Sequence, residues 1–439
     1  MNDKPGFPTF SLPSIFSAVR NGMKIYAVPR SELPLVSIHL VLPHGAEADS
    51  PGKAGLADLT AEMLTLGTRT RTSAQMASEV DSLGASLSAH AGWDATSIHV
   101  QGLKEDLDHL LELLREVIVE PAFSEEEFHQ LKQRRLAMLA QQKDESQIVA
   151  AERFEEILFR ETPYDHPVYG TLKSIPLLSR EETQGFYQER FLPKESFWVF
   201  VGDLNPEACF GHVEAKFPVV RPPRTSPPPF KPQKIFGLKT VLIDRPDLTQ
   251  SQIRLGHLGI PHAHPDYVPF EVMNYILGGG GFSSRLMQKI RVELGLTYGI
   301  RSSLDSRKNL GPFAVATFTP TETTFSCVQE ILSVMKSFRL QGASKEEEEE
   351  AVHFLRGSYP MKFETLNQIA QRIIQTEVHG TGIESLTDYP KKIAAVKGVD
   401  ILHCAQEHVD SENLIIAIVG RAKAFRHDFE RFGPVEFWE

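Results

Sequence analysis

The order of apolar and polar positions divides the chain into strand-like and helix-like stretches. Two apolar runs, Ile25 to Val28 and Val36 to Leu42, flank a polar turn and read as adjacent strands. Gly52 to Gly67 carries a helical pattern with Gly67 as its stop. From Ser82 to Val100 polar and apolar residues alternate around Gly84 and Gly92, as hairpin strands do, and Leu107 to Val119 is a strongly periodic helix. Ser124 with Glu127, and Ser179 with Glu182, have the spacing of capping boxes. The first opens a long helix through Leu139; the second opens a helix that ends before Phe197. Phe197 to Val201 is continuously apolar and reads as a buried strand. Strands and helices intermix without the regular alternation of a doubly wound sheet or its phosphate loop, so the class expected is α+β.

From Pro218 to Lys234 the pattern stops, and seven prolines crowd a segment with few apolar residues. Such a stretch favours the extended polyproline form and acts as a semi-rigid spacer. Beyond it the chain repeats itself. Val241 to Asp266 echoes Tyr26 to Asp49, the capping pair Ser344 and Glu347 echoes Ser124 and Glu127, and Ile415 to Gly420 echoes Trp198 to Gly202. A nearly constant offset at independent landmarks predicts two homologous mixed α/β halves, 1–217 and 237–439, joined by a linker at 218–236. A cleft between two such halves is the expected place for a ligand.

A net charge of -11 disfavours nucleic acid, whose phosphates demand a basic surface. No window of apolar residues is long enough to span a membrane, and prolines interrupt the N-terminal apolar residues where a signal peptide would need an unbroken run. Cys209, Cys327 and Cys404 lie far apart and read as buried thiols in a reducing compartment, so the expected location is cytoplasmic.

Candidate chemistry concentrates in Arg285 to Tyr298, RLMQKIRVELGLTY. Leu286, Ile290 and Leu294 form one apolar stripe of a helix that Gly295 ends, and Thr297 to Ile300 looks like a strand. Arg291 on the last turn and Tyr298 on the strand are both good donors, and a substrate carbonyl between them could be held by two convergent hydrogen bonds. The same pair also suits a purely structural role, the arginine complementing a helix dipole and the tyrosine filling a strand. Three other features read plainly. The acidic run Glu346 to Glu350 suits the first turns of a capped helix. His262 and His264 offer two ligands without a third nearby, which does not make a metal site. Gly278, Gly279, Gly280 and Gly281 form a loop before the Arg285 helix but lack the ending of a nucleotide loop.

The segment Gly55 to Thr68, GLADLTAEMLTLGT, resembles the part of the pitrilysin and insulinase family of zinc peptidases that carries the inverted H-x-x-E-H signature. The resemblance extends from about Gly22 to Gly420. Asp58 stands at the first histidine's place, Ala61 at the glutamate's, Glu62 at the second histidine's, and Leu139 falls within one or two residues of the third ligand's. Two carboxylates with no imidazole or third ligand are a poor zinc site, and alanine cannot move a proton. Asp58 and Glu62 then read as a polar helix face. In the same family the distal half carries an arginine and a tyrosine seven residues apart in a glycine-flanked segment, and Arg291 and Tyr298 fall on those positions.

The resemblance therefore implies the processing-peptidase-like fold with the two halves facing across a cleft. It implies a chain that binds no cofactor itself and pairs, as a heterodimer or larger assembly, with a zinc-binding subunit bearing an intact H-x-x-E-H. Arg291 and Tyr298 would hold the carbonyl of an extended peptide, and the Gly278 to Gly281 loop would touch it. Two other readings stay open, a structural subunit without a part in proteolysis and a stand-alone peptide-binding module.

Overall fold

The computed structural model describes residues 11–190, 195–217 and 230–438. Its frame is two six-stranded mixed sheets. The first holds β1 (Phe16–Arg20), β2 (Met23–Pro29), β3 (Leu35–Leu42), β4 (Ser86–Ala91), β5 (Thr96–Leu103) and β6 (Phe197–Gly202), in the order β1-β2-β6-β3-β5-β4. The second holds β7 (Leu238–Asp244), β8 (Gln250–Leu258), β9 (Ile300–Leu304), β10 (Pro312–Pro320), β11 (Leu414–Gly420) and β12 (Val435–Trp438), in the order β12-β7-β11-β8-β10-β9.

Five strands of each sheet follow one path. β2 and β7 run parallel to β6 and β11, while β3 and β8 run antiparallel to those central strands and to β5 and β10. The copies differ at one edge, where β1 pairs antiparallel with β2 and β12 pairs parallel with β7. The repeat read from the sequence is therefore a repeat of sheet topology. β6 and β11 are buried along their whole length, which is why their sequences show no alternation. Each sheet packs helices against its own core, around Leu40, Leu59 and Trp198 in the first and Leu255, Phe313 and Ile416 in the second.

Two compact units result, and they do not follow chain order. One comprises residues up to Ala140, His166–Pro229 and Pro360–Leu386; the other comprises Gln141–Asp165, Phe230–Tyr359 and Thr387–Glu439. The contiguous halves expected at 1–217 and 237–439 thus differ from the compact units by an exchange of one helical segment each. The Ser146–Leu158 helix lies on β8 and β11, and the Leu366–Val378 helix lies on β3 and β6. Specific contacts fix each choice. Arg307, 2% exposed, donates to Glu155 at 2.6 Å and stacks on Phe159 and Tyr164. In the other unit Ser37 donates to Asn367 at 3.0 Å, and Lys24 pairs with Glu377 at 2.9 Å. Residues 218–229, most of the proline-rich linker, lie outside the described residues, and 230–236 has no regular structure.

Local readings fare according to how local their causes are. Leu107–Val119 is a helix over the expected range. The Ser179 and Ser344 boxes close with both reciprocal bonds, and the Glu125–Gln142 helix receives its Ser124 cap through a long 3.5 Å bond. The helix expected from Gly52 to Gly67 is confined to Leu56–Leu64. Its start is set by buried Asp49, which accepts from the N–H groups of Gly55 and Ala57 at 2.8 Å each.

Candidate functional site

Asp58 and Glu62 share the polar face expected of the Leu56–Leu64 helix, and that face is turned to a cation of another helix. Asp58 is buried, and a single guanidinium nitrogen of Arg135 lies 2.7 Å from Asp58 Oδ2 and 2.7 Å from Glu62 Oε2. Asp58 Oδ1 accepts the N–H of Ala91 at 3.0 Å, and Arg135 also donates to the carbonyl of Tyr169 and stands over its ring. Arg135 lies on the Glu125–Gln142 helix one turn before Leu139, whose apolar side chain is buried in the core. The counted third-ligand position is therefore a packing residue, and the side chain that reaches the two carboxylates is the arginine. These residues do not fit a zinc ion. Both carboxylates are engaged by a fixed monocation, no imidazole or thiolate among the described residues joins them in a metal-ligand cluster, and Ala61 offers no proton-transferring group. The sequence signal for Arg135 was a cation on a helix whose buried positions are otherwise apolar.

In the second unit Arg291 and Tyr298 come together in a geometry different from that expected. The segment Met287–Glu293 is a π-helix, in which Leu294 N–H bonds to Lys289 and Leu296 N–H to Ile290. Leu286 and Ile290 are buried as expected, whereas Leu294 is exposed at the helix end, where Gly295 takes φ +63°. Tyr298 lies in the loop before β9 rather than in a strand. The Thr297 hydroxyl captures both the N–H and the carbonyl of Gly299 and so delays entry into the sheet until Ile300. The Tyr298 ring then lies over the Arg291 guanidinium at 4.3 Å, and Phe282 lies over it at 4.5 Å. No gap for a carbonyl separates the pair. The guanidinium is thus in contact with two aromatic rings and has no hydrogen bond or ion pair to any described residue. Both rings are largely exposed. Phe282 was not among the expected site residues, although an aromatic directly after four glycines was its visible cue.

The glycine stretch expected as a loop is partly helical: Gly278 and Gly279 end the π-helical segment Tyr275–Gly279, and Gly281 opens a 3-10 turn, Gly281–Ser283, ahead of the π-helical Met287–Glu293. Gly278 has a packing reason, since a Cβ there would meet Ser302 Oγ at 2.5 Å and Ser302 N at 2.7 Å. Gly278, Gly279 and Gly281 line a cavity of about 420 Å³, with Gly299 beside Tyr298, Arg254 and Arg301. Gly280, Arg291 and Tyr298 are not part of its lining. Arg285, at the start of the segment, is structural: it grips Glu347 through two 2.7 Å bonds and so ties the segment to the capping box of the Lys345–Ser358 helix.

His264 gains partners that its sequence neighbourhood hid. Asp266 and His408 place ligand atoms within 4.8 Å of it and of one another, types that suit a transition-metal ion. The cluster is already bonded internally, with His408 Nε2 2.8 Å from Asp266 and the Asp266 N–H donated to His264 Nδ1 at 3.1 Å. The three cysteines are buried free thiols, and burial pushes Cys209 and Cys327 up to about 12. No helix among the described residues is long and apolar enough to cross a membrane.

Comparison with known proteins agrees with this architecture. The family model described as "Insulinase (Peptidase family M16)" matches residues 27–172, and that of "Peptidase M16 inactive domain" matches residues 178–355. An uncharacterized zinc protease of Rickettsia bellii is 26% identical over 92% of this chain and 97% of its own. A protein of Helicobacter pylori named "Non-peptidase homolog YmxG" is 25% identical over 89% and 90%. Among solved structures, a peptidase M16 inactive domain from Pseudomonas fluorescens superposes with a TM-score of 0.86 at 23% identity, covering 93% of this chain and 98% of that one. Matches to both halves, together with the twofold repeat of sheet topology, lead to one assignment: the chain belongs to the insulinase family, peptidase family M16.

Proposed function

We propose that this chain is the metal-free subunit of a two-chain peptidase of the insulinase type, binding extended peptides for a partner that carries an intact H-x-x-E-H. The observation that carries the reading is Arg291, held against the Phe282 and Tyr298 rings with its donors unengaged among the described residues. A guanidinium fixed in this way has little freedom left to lose when it donates to a peptide carbonyl, and its charge strengthens the bond as negative charge develops on that oxygen. The Tyr298 hydroxyl, on the same stack, is a second donor. Arg135 supports the other half of the reading, because it engages the carboxylates at the degenerate metal position. The name of the Helicobacter pylori relative, a non-peptidase homologue, is in keeping with it.

The test is reconstitution with an M16 subunit bearing the intact motif and an unstructured peptide as substrate. Arg291→Ala is expected to lower turnover roughly a hundredfold, the usual cost of one lost oxyanion donor, and Tyr298→Phe to lower it less. Unchanged turnover in both variants would favour a structural subunit. Peptide binding without any partner-dependent turnover would favour a stand-alone binding module.

A further inference from the structure

The second sheet carries two arginines that carbonyl binding leaves unused. Arg254 on β8 and Arg301 on β9 both pair directly with Ala316 on the intervening β10. Residues opposite one another share a face, so the two guanidinium stems rise from one side of the sheet, two strand spacings or about 10 Å apart at their bases. Between them Ala316 contributes only a methyl group. Gln147 and Ala150 of the Ser146–Leu158 helix line the same 420 Å³ cavity as the two arginines.

Neither guanidinium has a hydrogen bond or ion pair among the described residues. The Glu155 carboxylate attracts Arg254 but is held by Arg307 at 2.6 Å. Burial and the like charge of Arg301 both disfavour the Arg254 cation. The first sheet fills the equivalent row differently. There His39 on β3 pairs with His99 on β5, the two rings stack at 4.1 Å, and Ser37 bridges them to Asn367 of the covering helix. That network carries no charge, whereas its counterpart in the second unit sets two cations without an ion-pair partner among the described residues beside a cavity. A bound anion restores the balance.

We propose that this cavity is an anion subsite that takes a carboxylate of an extended peptide, either an acidic side chain or the C-terminal carboxylate. The proposal rests on the peptide-binding reading, because the same glycines that line the cavity, with Gly299, lead to the Arg291 and Tyr298 stack. Arg254 and Arg301 grip the two oxygens, and Gln147 and Gln252 supply neutral donors.

The experiment measures fluorescence anisotropy of the full chain with three labelled unstructured peptides: one with an internal glutamate and an amidated end, one with glutamine in its place, and one with glutamine and a free C-terminal carboxylate. At least one carboxylate peptide is expected to bind roughly tenfold more tightly than the neutral one, and which one it is identifies the source. Arg301→Gln, at an exposed position, and Arg254→Gln should each collapse that preference. Equal, measurable binding of all three peptides, or a preference that survives both substitutions, overturns the subsite and leaves the peptide reading standing. No binding of any peptide overturns both.

Discussion

Three arginines illustrate how environment decides what a guanidinium does. Arg135 is almost fully buried and spends its donors on Asp58, Glu62 and the Tyr169 carbonyl. Removing it as Arg135→Met leaves buried Asp58 without its cation, and the expected loss of unfolding free energy is roughly 3–5 kcal/mol, read from urea denaturation. Arg291 and Arg254 hold the same group without such partners, at the stack and in the cavity. His39 makes a pH argument at the same scale. Burial, followed by the neighbouring charge of His99, pushes it down to about 3, and burial pushes His99 to about 4. Both stay neutral in the folded chain while the unfolded chain takes up protons below about pH 6.5. Their contribution to stability is therefore complete above that pH and is lost as the pH falls toward the folded values. For His39 alone the loss amounts to about 2 kcal/mol at pH 5. Comparing urea midpoints at pH 7.5 and pH 5 for the unaltered chain and for His39→Asn checks this, since the variant should show the shallower pH dependence.

At the scale of elements, what the sequence made legible was what neighbouring residues decide. Capping boxes, the buried strands β6 and β11 and the Leu107–Val119 helix all follow from contacts within a few residues. The π-helical form of Met287–Glu293 was not legible, because an apolar stripe at four-residue spacing fits an α-helix equally well. Nor could periodicity say which sheet an amphipathic helix covers. The Ser146–Leu158 helix follows Arg307, a residue 152 positions later in the chain. Arg307→Met should release it, seen as faster hydrogen exchange in residues 146–158 with little change in residues 366–378. Gly278→Ala tests the glycine segment in a different way. Its added methyl meets the Ser302 backbone and side chain, and a loss of about 1–3 kcal/mol on thermal or urea unfolding is the expected result.

At the scale of the whole molecule, the repeat was legible because five strands recur in the same order, and the position of Arg291 and Tyr298 was legible because it lies within one short segment. The partners of the degenerate position were not, since Arg135 comes from a helix 73 residues beyond Glu62. The two units have diverged in what they do with charge. In one, a cation takes up the Asp58 and Glu62 carboxylates; in the other, Arg254, Arg291 and Arg301 have no hydrogen bond or ion pair among the described residues. On the function proposed here, a chain divided in this way binds peptide and leaves the cleavage of the bond to a partner. The most direct measurement is hydrolysis of an unstructured peptide by the purified chain alone, with zinc added. The expected result is no zinc-dependent turnover above background; turnover that zinc restores after chelation, and that Asp58→Ala abolishes, would contradict it.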